Sequence, residues 1–204
     1  MTSTRNKSED DAVQERILDA ARELVLAVGV RRATASDVAR QAGISRMTLY
    51  RRFPDVQRVL AALLTKELSQ LLDTVRAEVD ASAPARERLC ASAVGLVRGL
   101  SVDPLFARVL DVDPEMLLPY VIDRTGASQH IVLAAVRGAI VEGQSDGSIR
   151  PCDPELTARA VQLTVQSFVF SARITERESD PEATLAELGL LLDRYLQPDA
   201  CGPR

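Results

Sequence analysis

Apolar residues recur at helical spacing along almost the whole chain, and no segment shows sustained period-2 alternation. Val13, Ile17, Leu18, Ala21, Leu24, Val25 and Val28 share one stripe and predict a first helix from Asp11 to about Val28. Gly29 can take the left-handed conformation that closes it. Thr34-Ala-Ser-Asp37 matches a capping box, in which a hydroxyl and a carboxylate satisfy the first amides of a helix reciprocally. The short helix that follows runs to about Ala42 and ends at Gly43. Ser45 caps the next, to about Phe53, and Pro54 stops it. Asp55 opens a long helix to about Ala81, with Leu60, Leu63, Leu64, Leu68, Leu71, Leu72, Val75 and Val79 inward.

The second half is punctuated by Asp-Pro at 103–104, 113–114, 153–154 and 180–181. Asp is a good N-cap, and Pro suits the first helical position because its missing N–H has no partner there. Each pair therefore marks a helix start. Pro84 is expected to open another, with Leu89, Ala93, Leu96, Val97 and Leu100 inward. Gly143 to Pro151 reads as an internal loop, and the last two helices as about 154–176 and 181–197. The tail, PDACGPR, is expected to fray. The fold class expected is all-α, about nine or ten helices in all.

Composition sharpens this picture. Of 204 residues, 46% are hydrophobic and 26% charged, which suits a globular chain with a real core. No apolar run reaches membrane-span length, and the opening MTSTRNKSEDDAVQ lacks a signal core, so a cytoplasmic setting is expected. Cys90, Cys152 and Cys201 lie far apart without metal-ligand spacing, and read as fillers plus one tail thiol. The formal net charge of −4 argues at first against nucleic acid. Its distribution argues otherwise. Residues 29–58 hold seven arginines against Asp37 and Asp55, a local +5, while residues 61–204 hold 14 basic against 21 acidic groups, or −7. A basic patch on an acidic body can grip phosphates while the body stays soluble.

The patch coincides with a helix-turn-helix pattern. Val38, Ala39, Ala42, Ile44, Leu49 and Phe53 supply a small core, with Gly43 in the turn. Ser45, Arg46, Met47 and Thr48 then occupy the first turn of the second helix, the part offered to a major groove. Arg46 can fork onto guanine or phosphate, and Met47 and Thr48 can touch a thymine methyl. Tyr50, Arg51 and Arg52 follow one turn later, placed for flanking phosphates. Thr34 starts the preceding helix, whose amides also attract phosphate. A generic helical hairpin with surface arginines is the competing reading, and the combined spacing of caps, turn and core disfavours it.

The stretch TASDVARQAGISRMTLYRRFPD, residues 34–55, resembles the DNA-binding domain of the tetracycline-repressor (TetR) family, most of all in Thr48-Leu49-Tyr50-x-x-Phe53. The resemblance covers about residues 11–70. It implies DNA contacts from Thr34, Ser45, Arg46, Met47, Thr48 and Tyr50. The lysine that the family often carries shortly after the Phe has no counterpart in Asp55-Val56-Gln57, and Arg58 is the nearest cation. The resemblance further implies an N-terminal three-helix DNA-binding domain over residues 11–70, followed by a larger helical domain over 71–198 that dimerises and often holds a small ligand. A homodimer on a palindromic operator in double-stranded DNA, acting as a repressor released by a small, largely apolar effector, is the expected function.

Two features bear on that second domain. Val161, Val165, Phe168, Val169 and Ala172 line one terminal helix, and Leu185, Leu188, Leu191, Leu192 and Leu196 the other. Together they offer more apolar surface than one side needs, as a four-helix bundle across a two-fold axis requires. Simple intrachain packing is the alternative. For the effector, Phe106, Met116, Tyr120, Gln129, His130 and Leu133 are candidate pocket residues, the polar ones orienting a mostly apolar molecule. Core filling explains the same side chains equally well. A regulator of the same fold without a ligand, controlled by a protein partner or by abundance, is the runner-up. Catalysis is disfavoured: the chain has one histidine and no nucleophile motif, metal-ligand cluster or phosphate-cradling loop. No cofactor and no metal are expected.

Overall fold

The computed structural model describes residues 3–112 and 126–198, and among these residues the secondary structure is entirely helical. The α-helices are α1 (Ser3–Val28), α2 (Ala35–Gln41), α3 (Arg46–Arg52), α4 (Val56–Glu78), α5 (Ala85–Val102), α6 (Pro104–Val112), α7 (Ala127–Ser145), α8 (Pro154–Glu178) and α9 (Pro181–Leu196). A 3₁₀ turn, Val30–Arg32, links α1 to α2. The breaks fall where the local chemistry places them. Gly29 sits at φ 86° and Gly43 at φ 66°, both left-handed. Asp153 and Asp180 accept the first free amides of α8 and α9, with Pro at the opening position of each. The Asp-Pro pair at 113–114 and the tail from residue 199 lie outside the described residues. α1 begins earlier than the apolar stripe predicts, at Ser3, and α7 runs three residues into the expected loop, to Ser145.

The chain divides into two compact units. One comprises the residues through Glu67 together with α6; the other comprises Leu68–Asp103 and α7 to α9. In the first, Ile17, Ala21 and Val25 of α1 pack with Val38, Ala39, Leu49, Phe53, Val59 and Leu63. Leu105 and Val109 of α6 join the same core, a docking onto α1 that the sequence pattern does not disclose. Lys66 anchors α4 to α1 through Glu15 and Asp19. Partial burial works against the ammonium charge, but those two carboxylates outweigh it and hold the lysine above its ordinary pKa.

In the second unit, α5 is the central helix, contacting α7, α8 and α9. Its buried face is Leu89, Cys90, Ala93, Leu96, Val97 and Leu100. Gly95 and Gly99 let α4 approach closely: a Cβ at Gly99 would stand 2.6 Å from Leu71 Cδ1. Pro84 supplies no side-chain cap to α5. The cap comes from the loop after α7 instead. Asp146 Oδ2 accepts from the Ala85 amide at 2.9 Å, and Ser148 Oγ accepts from the Arg86 amide at 3.1 Å. Arg98 makes a two-pronged pair with Glu182, joining α5 to α9. No single helix among the described residues is long and apolar enough to cross a membrane.

Candidate nucleic-acid interface and the second-unit cavity

The turn between α2 and α3 is built from three amides. Ile44 N–H donates to Ala39 O at 3.0 Å and Gly43 N–H to Arg40 O at 3.2 Å, the paired bonds of a Schellman ending, while Ala42 N–H donates to Val38 O at 2.9 Å. At the start of α2, Thr34 Oγ1 accepts from the Asp37 amide at 3.2 Å and donates to Asp37 Oδ2 at 2.6 Å. The α3 start repeats the device: Ser45 Oγ accepts from the Thr48 amide at 3.0 Å and lies 2.9 Å from Thr48 Oγ1. Leu49, fully buried, and Phe53 pin α3 to the core. The remaining face points outward.

That face carries the residues expected of a reading surface. Arg46 and Arg51 are exposed, Met47 is 79% exposed and Tyr50 is 49% exposed. Met47 and Tyr50 are thus uncovered beside the arginines at the start of α3. Thr34 and Ser45 are exposed as well, and Thr48 is half-buried against Ser45. Arg52 is a correction. Its guanidinium turns to α1, donating to Asp10 O at 2.8 Å and pairing with the Asp10 carboxylate, and its side chain is only 14% exposed. The reason is position: Arg52 lies six residues past Arg46, on the flank of α3 facing α1, where Asp10 is available. It clasps the reading head internally instead of facing outward to a phosphate. Arg40 is exposed but pairs with Asp37 at 2.8 Å. Past Phe53, the Asp55 carboxylate caps α4 by accepting from the Arg58 amide at 2.8 Å, and the Arg58 side chain stays exposed.

The second unit carries a cavity of about 630 Å³ that is open to solvent on one side. Leu72 and Arg76 of α4, and Val79 just past its end, wall it with Arg88, Leu89, Ser92, Ala93 and Leu96 of α5. Val132, Ala135, Val136, Gly138, Ala139 and Glu142 of α7, and Val161, Gln162 and Val165 of α8, complete it. The small residues of α7 leave the space that larger side chains would fill. None of the described pocket candidates lines it. Gln129 Oε1 accepts from the Gly126 amide and its Nε2 donates to Gln166; His130 is exposed; Leu133 sits on another side of α7. Phe106 belongs to the other unit with α6. Met116 and Tyr120 lie outside the described residues.

The terminal helices also need a correction. Val161 and Val165 face the cavity, and Leu185, Leu188 and Leu192 are buried inside the subunit, Leu188 completely. Side chains already covered by their own chain have no surface left for a partner. Phe168, Val169 and Ala172 remain half-buried. The exposed large apolar side chains of these two helices are Leu156, Leu163, Phe170 and Ile174 on α8 with Leu190, Leu191 and Tyr195 on α9, the Tyr195 ring carrying the Arg150 guanidinium 4.8 Å from its centre.

Two short helices joined by a tight glycine turn, the second presenting an uncovered first turn and exposed arginines, define a helix-turn-helix DNA-binding protein. Comparison with known proteins agrees. Residues 17–63 match the model for bacterial regulatory proteins of the tetR family. An uncharacterized HTH-type transcriptional regulator of Mycobacterium tuberculosis is 34% identical over 181 residues, 89% of this chain and 93% of its own. Among solved structures, the R. erythropolis transcriptional repressor QsdR superposes with a TM-score of 0.70 at 18% identity, over 92% of this chain and 97% of its own. RolR in complex with resorcinol gives 0.68 at 18% identity, over 95% and 92%. The chain belongs to the tetR family and is a helix-turn-helix transcriptional regulator, not an enzyme.

Proposed function

We propose that the protein is a homodimeric repressor that holds a palindromic operator through two copies of α3 and releases it when a small effector occupies the cavity of the second unit. The observation that carries this is the α3 tip: a capped, rigid first turn whose Arg46 and Met47 stand uncovered. Arg46 and Thr48 read base edges, Met47 meets a thymine methyl, and Tyr50, Arg51 and Thr34 hold phosphates. The second copy covers the apolar face of α8 and α9, with Phe170, Ile174, Leu190 and Leu191 at its centre. The open cavity favours the ligand-responsive version over one controlled by a protein partner or by abundance. The QsdR repressor and the resorcinol-bound RolR lend the same direction by fold.

α4 is the element through which an occupant acts. Val59, Leu60 and Leu63 near its start are buried in the core of the reading head, and Leu72 and Arg76 near its end wall the cavity. An occupant that fits better with the end of α4 displaced favours the state in which the start is displaced too. It shifts the balance only by its difference in affinity for the two states. Selection of purified protein against a random duplex pool is the test. A palindrome with half-sites about one helical turn apart is the expected product, bound with steep salt dependence. Failure to enrich any palindrome overturns the proposal.

A further inference from the structure

The cavity is not uniformly apolar, and its polar groups are unevenly placed. Arg76 and Arg88 stand at its mouth with side chains 53% and 26% exposed, and Glu142 beside them is 58% exposed. Arg88 is engaged: it pairs with Glu142 at 2.5 Å and donates to Ala83 O at 2.9 Å. Among the described residues Arg76 pairs with Asp73 alone, 4.0 Å away and 80% exposed. The cationic mouth thus keeps one guanidinium essentially available. In the wall, Gln162 is 4% exposed. Its Oε1 accepts from Arg159 at 3.0 Å, and no hydrogen bond from its Nε2 occurs among the described residues. A buried amide facing a cavity with its N–H groups unused calls for an acceptor there. Between mouth and far end, the residues from Arg88 to Leu96 span about 12 Å of helix axis, lined by aliphatic side chains and the Ser92 hydroxyl.

We propose that this cavity takes an apolar monocarboxylate bearing a second oxygen on its body. The carboxylate sits at Arg76, where a planar guanidinium offers two parallel donors. The body, about 12 Å long, fills the aliphatic interior. Its hydroxyl or carbonyl oxygen accepts from Gln162. This deepens the effector reading above and rests on it for biological use. The expected largely apolar effector becomes a molecule of defined polarity.

The test uses the full-length protein with three probes measured by calorimetry: 3-hydroxydecanoate, decanoate and decan-1-ol. Affinity is expected to fall in that order, with the acids at least about tenfold tighter than the alcohol. Arg76→Gln, at an exposed position that does not threaten folding, removes the acid advantage, and Arg76→Lys restores part of it. Gln162→Leu abolishes the preference for 3-hydroxydecanoate over decanoate. Equal binding of acid and alcohol overturns the proposal, as does an order that Arg76→Gln leaves intact, or no binding by any probe. Operator binding, measured in parallel, separates the two readings. Acids that bind without loosening the operator sink the effector role and leave the ligand class standing. Release by the alcohol as readily as by the acids does the reverse.

Discussion

Helix α7 carries two interior glycines in opposite surroundings, and substituting each by alanine isolates the cost of crowding. A Cβ at Gly138 meets nothing within 4 Å; one at Gly143 stands 2.5 Å from both Cγ1 and Cδ1 of Ile149 and 3.1 Å from its Cβ. Ile149 is 3% exposed, and its amide donates to the Gly143 carbonyl at 2.8 Å, so it cannot withdraw cheaply. Either substitution gains roughly 0.5–1 kcal/mol from helix propensity and lost unfolded-state entropy. Overpacking subtracts about 1–3 kcal/mol at Gly143 alone. Gly138→Ala is therefore expected to stabilise and Gly143→Ala to destabilise by about 1 kcal/mol net, and the difference between them measures crowding with the propensity gain cancelled. Urea unfolding at one fixed protein concentration reads this. If Gly143→Ala proved as stable as Gly138→Ala at unchanged m, the tight seat of Ile149 would be refuted.

Three further outcomes follow from the local geometry. Ser45→Ala removes the side-chain acceptor for the Thr48 amide and should cost about 1 kcal/mol in unfolding experiments, an effect that Ser45→Thr largely avoids. The Ser148 hydroxyl, with the amides of Ala85 and Ser148, holds Asp146 below its ordinary 3.8. That contribution is present above 3.8 and is lost as pH falls through the depressed value, so acid unfolding of Asp146→Asn should show a shallower pH dependence than the parent; matching curves would contradict it. Burial pushes the Cys90 thiol up to about 11, leaving about one thiolate in a thousand at pH 8, so iodoacetamide with peptide mapping should label half-exposed Cys152 well before Cys90.

What was legible in the sequence was what is local. Thr34, Ser45, Asp153 and Asp180 cap the helices they precede because the acceptor and the amide it serves lie within three residues. Gly43 marks its turn for the same reason. Long-range partners left no such trace. Arg52 looks like any reading-head arginine until Asp10, 42 residues earlier, is found beside it. On the last helix, Leu188 and Leu191 are the same residue type, yet one is fully buried and the other 48% exposed. An apolar pattern broad enough to cover two faces cannot say which face the chain keeps for itself. The cavity followed from absence of bulk on α7, at Ala135, Gly138 and Ala139, whereas the sequence drew attention to large or polar candidates.

The borrowed cap of α5 has a consequence for how the chain is made. Ala85 and Arg86 receive their acceptors from residues 61 and 62 positions later. During synthesis at about 5–20 residues per second, those acceptors arrive roughly 3–12 s after the amides they serve. Until then the first turn of the central helix has only water to bond. The second unit is thus committed late, when the loop after α7 emerges and closes over the head of α5, while the reading head, whose caps are all near neighbours, can form well before it.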